Sequence, residues 1–459
     1  MFRPVVPVLI VVLILCGALL LGMNGCGGGG AANKAAPPLN PIEHVVIIFQ
    51  ENRTPDNLFQ DPNLIKNGAD IVQSGVNSLG HTIPLTPGPL ANTYDLDHSH
   101  PSFVSMYDNG KMDGADKIRC QPSCPSNAQF MSVNPQDVQP YFTMAEQYTF
   151  GDRMFQTNEG PSFPAHQFII AGTSAPTATS TSFAAENTSG GAGCLSLPTS
   201  TVEMINSSGV EFGRQFPCFE HPTLIDALNA KNISWRYYTI QTAVNASLWN
   251  GPDAIQHLCQ PQMQNGTLVC AAADWANVTT NNTQILNDIA NNQLPQVSWV
   301  IPTGQTSDHA LVNDGSGPSW VASVVNAIGN SSYWSNTAII ITWDDWGGWY
   351  DHVPPKVIND GTSWGSGYVY GFRVPLIVVS PYARPGFISH NTHDFGSILK
   401  FIEETFGLSS LGYADAAADD FSDCFDFSQM PIQFQTIAAP MSADHFLKEA
   451  RSPLPPDND

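Results

Sequence analysis

The 459-residue chain reads as an α/β protein: a three-layer α/β/α sandwich with a mostly parallel central sheet and an inserted loop-rich cap. Three observations predict this. Continuous apolar runs of strand length recur, amphipathic helical patterns lie between and after them, and a long stretch rich in Ser, Thr, Asn and Gly interrupts the series. A strand that is apolar at every position is covered on both faces, as parallel strands are, and strands alternating with helices build a sheet between two helix layers.

The elements follow in chain order. Residues 5–23 carry no charge and follow the single Arg3, the layout of an export signal. The run is also long enough to span a bilayer. It ends near Asn24-Gly25-Cys26, which resembles a bacterial lipoprotein signal with Cys26 as the lipidated residue. Lipidation, plain cleavage and an uncleaved anchor are three fates for residues 1–26, and all export the rest. Residues 27–40 form a Gly/Ala/Pro linker. The catalytic part is expected over 41–450, and 451–459 is a frayed Pro- and Asp-rich tail.

Val45 to Phe49 is the first buried run, and Val297 to Ile301, Ala338 to Trp343 and Val374 to Ser380 follow. Trp320, Val321, Val324, Val325 and Ile328 repeat at helical spacing, with Pro318 before them and Gly329 as the stop. Phe395, Ile398, Leu399, Ile402 and Phe406 do the same, with Asp394 as N-cap and Gly407 as the stop. The stretch 174–290 is the expected cap, and within it Pro222 to Ala230 and Ile233 to Ile240 read as one helix–strand unit.

Seven cysteines remain after Cys16 and Cys26 are set aside, so three pairs leave one thiol over. The local pairs are Cys120–Cys124, Cys194–Cys218 and Cys259–Cys270. A metal reading of Cys120 and Cys124 lacks a second Cys or His pair at zinc spacing.

Charge excludes one class of partner. With 17 Lys and Arg against 40 Asp and Glu the net charge is −23, and the basic clusters that release counterions from nucleic acid are missing. Membrane contact is expected only through an N-terminal lipid or anchor.

Ligands of an open parallel sheet bind beyond the carboxyl ends of its strands. The first run is followed by Gln50-Glu51-Asn52-Arg53, the third by Asp344-Asp345-Trp346-Gly347-Gly348. Neighbouring strand residues point to opposite faces, so Asp344 and Asp345 serve one site only if the strand ends there, and the paired glycines end it. Each carboxylate alone reads as a solvated turn or a cap. Together Glu51, Asn52, Asp344 and Asp345 make an oxygen-rich cluster suited to a divalent cation, whose identity and number the sequence leaves open.

Ser162 lies on a constrained turn, Gly160-Pro161-Ser162-Phe163-Pro164, either a turn-capping serine or a nucleophile activated by a cation. Four histidines have an Asp close by in loops: His98 and His100 in Asp95-Leu96-Asp97-His98-Ser99-His100, His309 after Asp308, and His352 after Asp351. That pattern points to metal ligands or proton donors backed by carboxylates. Trp343, Trp346, Trp349 and Tyr350 read as packing, or as an apolar approach for a lipid.

These segments resemble a known family. HVVIIFQENRTPDNLF, YDLDHSH with GKMDG, NEGPSFPAHQ, TSDHA, TWDDWGGWYDHV and GFRVPLIVVSPYARPGF look like successive blocks of the bacterial phosphoesterases, secreted acid phosphatases and phosphatidylcholine-preferring phospholipases C within the alkaline-phosphatase-like superfamily. The resemblance implies a metal held by Glu51, Asn52, Asp344 and Asp345. It implies Ser162 as a nucleophile that becomes phosphorylated, with His309 and His98 or His100 contacting phosphate oxygens or protonating the leaving group, and His352 in the same wall. His390 and His393 match only loosely and receive no role. The expected activity is hydrolysis of phosphate monoesters through a phosphoserine. The alternatives are a phospholipase C acting on phospholipid diesters, and a non-catalytic surface lipoprotein of the same fold.

Overall fold

Strand β1 (His44–Gln50) lies at the centre of an eight-stranded sheet in the computed structural model, which describes residues 40–240, 248–358 and 369–450. The export signal, all but the last residue of the linker, and the tail expected from the sequence fall outside those residues. The remaining strands are β2 (Thr149–Gly151), β3 (Trp235–Tyr238), β4 (Val278–Thr279), β5 (Val297–Val300), β6 (Thr337–Trp343), β7 (Leu376–Val379) and β8 (Phe387–Ser389), in the spatial order β4-β3-β5-β1-β6-β7-β2-β8. All run the same way except β7, which is antiparallel to both neighbours. The sheet is thus mixed and mostly parallel, as expected. Every residue of β5, β6 and β7 is buried, which is why these strands read as unbroken apolar runs. β2 and β8, of three residues each, are too short to leave such a signal.

The register separates the two helix layers. Gln50 pairs with Trp343 and Phe49 with Thr342, and paired residues of parallel strands share a face while successive residues alternate. Phe49 packs edge-on against His166 and Phe395, so of the helices α1 (His100–Tyr107), α2 (Gln139–Gln147), α3 (Ser162–Ala171), α4 (Gly317–Gly329) and α5 (Phe395–Phe406), α3 and α5 cover that face. Trp343 meets Tyr141 of α2 edge-on on the opposite side, and α2 packs on α4. The caps follow the sequence: Asp394 and Ser397 form a capping box on α5, and Gly407 closes it in the left-handed conformation.

The stretch expected as a cap is only partly outside the sheet, because β3 and β4 come from it and form one border. The rest holds an antiparallel three-stranded sheet, Ser182–Ala184, Val202–Asn206 and Glu211–Gln215, and a hairpin, Pro261–Gln264 with Thr267–Cys270. All three local disulfides form, and Cys424 is a buried thiol. Trp343, Trp346, Trp349 and Tyr350 are buried, so their role is packing rather than an open apolar approach. Among the described residues no helix is long and apolar enough to cross a membrane.

Candidate active site

β1 and β6 are neighbours that end together, so Glu51 and Asp344 leave the sheet side by side. The Asp344 amide donates to the Gln50 carbonyl at 2.9 Å, extending the ladder one step past the strands. The Asp344 Oδ1 then accepts from the amides of Asn52 (3.0 Å) and Asp345 (2.7 Å), and Asp345 Oδ1 accepts from the Gly347 amide at 2.7 Å. These bonds turn both chains inward. Gly347, at φ +61°, is required by the approach itself, since a Cβ there would stand 2.6 Å from Asn52 Cβ. Gly348 does the same for the neighbouring loop, its Cβ position lying 2.5 Å from Leu96 Cβ.

Ser162 is the first residue of α3. Its hydroxyl lies 3.3 Å from Glu51 Oε2 and 3.5 Å from Asp345 Oδ2, donating toward both carboxylates. One helical turn later His166 brings Nε2 to 3.2 Å from Glu51 Oε1. Glu51, His166 and Asp344 each present one ligand atom within 4.8 Å of the others. His166 therefore joins the cluster, although strand-end reasoning did not find it. The signal was present: residues four apart on a helix share a face, so a candidate site residue at 162 points to 166.

The donor set suits a cation. Glu51, Asn52, Asp344, Asp345, Ser162 and His166 are fully buried, and among the described residues Asp344 Oδ2 and Asn52 Oδ1 have no hydrogen-bond partner. Burial and the adjacent Asp344 carboxylate hold the Asp345 carboxyl well above the usual range. Buried carboxylates crowded in this way call for a positive charge among them.

His98 and His309 face the carboxylates together, their rings 5.7 Å apart. His98 Nδ1 donates to the Leu96 carbonyl (2.8 Å), leaving Nε2 to accept from Asn52 Nδ2 (3.1 Å), 4.0 Å from Asp345 Oδ2. His309 Nδ1 donates to the Ala310 carbonyl at 2.7 Å. The expectation that neighbouring aspartates back these rings is corrected here. Backbone carbonyls do so, because the aspartates are engaged elsewhere: Asp97 accepts from the Ser99 amide at 3.0 Å, and Asp308 Oδ2 accepts from Tyr141 and Trp343 Nε1, each at 2.9 Å. Burial pushes the Asp308 carboxyl up to about 6. Arg53 grips the Asp308 carbonyl with Nε (2.9 Å) and a terminal nitrogen (2.7 Å) and so holds the His309 loop against β1.

The other two histidines are engaged with different partners. His100 Nδ1 is 3.2 Å from the Glu159 carbonyl and 3.5 Å from Glu159 Oε2, and its amide donates to Glu186 Oε1 at 2.7 Å. Burial raises Glu159 to about 8. His352 bridges Asp56 (2.7 Å) and Asp70 (3.0 Å), beside the Arg373–Asp351 ion pair. Burial opposes the His352 charge, but Asp56 outweighs it and its pKa rises. Arg373 supplies the positive charge of that cluster, which makes it an ion-pair network.

Comparison with known proteins fits this arrangement. The profile of the Phosphoesterase family matches residues 42–409, spanning both strand ends, Ser162 and all four loop histidines. The chain belongs to that family. Phospholipase C B of Mycobacterium tuberculosis is 26% identical over 444 residues, covering 86% of this chain and 79% of that protein. The non-hemolytic phospholipase C of Pseudomonas aeruginosa is 25% identical, covering 86% of this chain and 59% of the relative. The non-specific phospholipase C6 of Arabidopsis thaliana is 23% identical, covering 84% and 72%. A solved protein of the alkaline phosphatase superfamily from Vibrio parahaemolyticus aligns over 84% of this chain and 73% of its own at 9% identity, with a TM-score of 0.37 that adds nothing to the strand order. The phosphoesterase is thus a metal-associated, phosphoester-hydrolysing enzyme of the phosphoesterase and phospholipase C type.

Proposed function

We propose that this phosphoesterase is an exported phospholipase C, cleaving the phosphodiester of a phospholipid on the glycerol side with Ser162 as nucleophile. The observation that carries this reading is the position of the Ser162 hydroxyl, at the N-terminus of α3 and within 3.3 Å and 3.5 Å of two carboxylates, with His98 and His309 facing the same group. Glu51, Asn52, Asp344 and Asp345 would hold the cation, with His166 as a further ligand. The bound cation supplies Lewis acidity and charge neutralisation.

The chain's own groups account for the remaining chemistry. The N-terminus of α3 favours negative charge developing on Ser162 and on the phosphoryl oxygens. The serine proton is directed at Glu51 and Asp345. Ser162 Oγ bonds to phosphorus as the diacylglycerol oxygen leaves, and His98 or His309, in its imidazolium form with Nε2 protonated, gives that oxygen its proton and becomes neutral. Water, giving a proton to the now neutral imidazole, then displaces Ser162, whose oxygen takes back its proton from the carboxylates as the phosphorylated head group is released. His100 is proposed to orient the Glu159 loop that leads to Ser162, and His352 to brace the far wall.

Ser162→Ala tests this directly. Turnover of a phosphorylcholine diester should fall at least about 10³-fold, with metal content and thermal unfolding unchanged. Undiminished turnover removes Ser162 from the mechanism. A chromogenic phosphomonoester hydrolysed faster than the diester by the wild type would restore the monoesterase reading.

A further inference from the structure

Among the described residues Cys424 is the one cysteine outside a disulfide, and it lies beside His393, a histidine to which the strand-end site gives no role. Ser389 ends β8 at the sheet border, His393 follows four residues later, and Asp423 and Cys424 arrive from the C-terminal segment. The Cys424 carbonyl is tied down by the Arg384 amide at 2.9 Å and by Thr149 Oγ1 at 3.1 Å. Ser389, His393 and Cys424 are fully buried.

The donor atoms converge with the spacing of a coordination shell. His393 Nε2 is 3.7 Å from Asp423 Oδ1, and Cys424 Sγ is 3.5 Å from the same oxygen. One ligand atom from each of the three lies within 4.8 Å of the others. The Ser389 hydroxyl is 2.9 Å from His393 Nε2 and 2.5 Å from Asp423 Oδ2. Around a tetrahedral ion with bonds of about 2.0–2.3 Å, ligand atoms stand roughly 3.3–3.7 Å apart. On the far side of the ring His393 Nδ1 is 2.9 Å from Asp419 Oδ1, a charge contact without hydrogen-bond alignment, so Nε2 is the nitrogen turned toward Asp423 and Cys424.

We propose that His393, Asp423 and Cys424, with Ser389 hydrogen-bonding the set from outside, form a second metal site that binds a borderline divalent cation such as zinc. Mixed sulfur, nitrogen and oxygen donors select such an ion, whereas the strand-end cluster is built mainly of oxygen. A thiolate and a carboxylate balance its two charges, with neutral imidazole as the third protein donor. The Asp419 and Asp423 side chains are 25% and 22% exposed, giving the ion a route into an otherwise sealed pocket. The bound ion clasps the C-terminal segment to the open border of the sheet. Ser389, His393 and Asp419 also follow the order of a hydrolytic triad, but the serine is sealed from substrate and Asp423 accepts its proton, so that arrangement does no chemistry.

The test is cobalt exchange in the full-length protein. The strand-end centre has no sulfur donor, so a thiolate-to-cobalt charge-transfer band reports this site alone, and its failure is distinguishable from failure of the phospholipase reading. The wild type and Asp344→Asn should both show the band, and Cys424→Ser should lose it together with about one equivalent of metal per chain. If Cys424→Ser does not fold, Asp423→Asn keeps the side-chain volume and should give the same loss. No band in the wild type, or a band surviving in Cys424→Ser, overturns the proposal. An imidazolium held between two carboxylates without a metal gives the first of those results.

Discussion

Gly347→Ala tests whether the close approach of the two strand ends builds the site. Gly347 sits at φ +61°, and an added Cβ would stand 2.6 Å from Asn52 Cβ and 2.7 Å from Asn52 O. The left-handed conformation costs alanine about 1 kcal/mol, and forcing a methyl into packed surroundings adds about 1–3 kcal/mol. With an unfolding entropy of about 2.1 cal/mol/K per residue over roughly 420 residues, each kcal/mol lowers Tm by about 1 °C, so a fall of about 2–4 °C is expected. The larger effect is on catalysis. Relieving the contact means moving Asn52 by about 1 Å, and displacement of that size costs about 10²-fold in rate. Gly80→Ala is the control, because Gly80 also has positive φ, at +77°, with nothing within 4 Å of its Cβ position. It should lower Tm by about 1 °C and leave kcat alone. The assay pairs kcat on a phosphodiester with calorimetry. If Gly347→Ala keeps wild-type kcat and unfolds like Gly80→Ala, the close approach of Gly347 to Asn52 does not build the site.

Three other perturbations test neighbouring parts. His166→Ala should weaken metal binding and lower activity in parallel, measured by metal titration and kcat; full metal affinity in that variant would strike His166 from the ligands. Arg53→Lys removes the fork on the Asp308 carbonyl and should lower kcat about 10-fold or more through a loosened His309 loop, and unchanged kinetics would show that the loop needs no such tie. Glu159 bears on pH. Burial raises its carboxyl to about 8, above an unfolded value of about 4.3. Between those values the native state keeps a proton that the unfolded chain has released, so this contribution to stability is complete below about pH 4.3 and is lost as pH rises through about 8. Glu159→Gln should therefore gain on the wild type steadily from pH 4.5 to 8 in urea midpoints, and parallel curves would show that Glu159 ionises normally.

The sheet and the candidate site at its strand ends are legible in the sequence for one shared reason. β1, β5, β6 and β7 are covered on both faces over nearly all their length, so each is predominantly apolar, and a polar cluster directly after such a run marks the place where the chain leaves the sheet. That logic reaches Glu51, Asn52, Asp344 and Asp345, and it reaches nothing delivered by a helix. His166 arrives on α3, fully buried, in a segment whose flanking residues are mostly apolar, and only its spacing from Ser162 singles it out. Local pairing of His with Asp failed for a related reason. Neighbouring residues in an irregular loop point apart, and the partner of a buried carboxylate is whichever donor the tertiary fold brings up: Tyr141 and Trp343 for Asp308, Arg373 for Asp351. The exception sharpens the rule. His352 does contact aspartates, but they are Asp56 and Asp70, about three hundred residues earlier in the chain, and these, together with Arg373, set its environment. For this fold, sequence order identifies what the strands deliver to the site, and only packing decides which charges neutralise them.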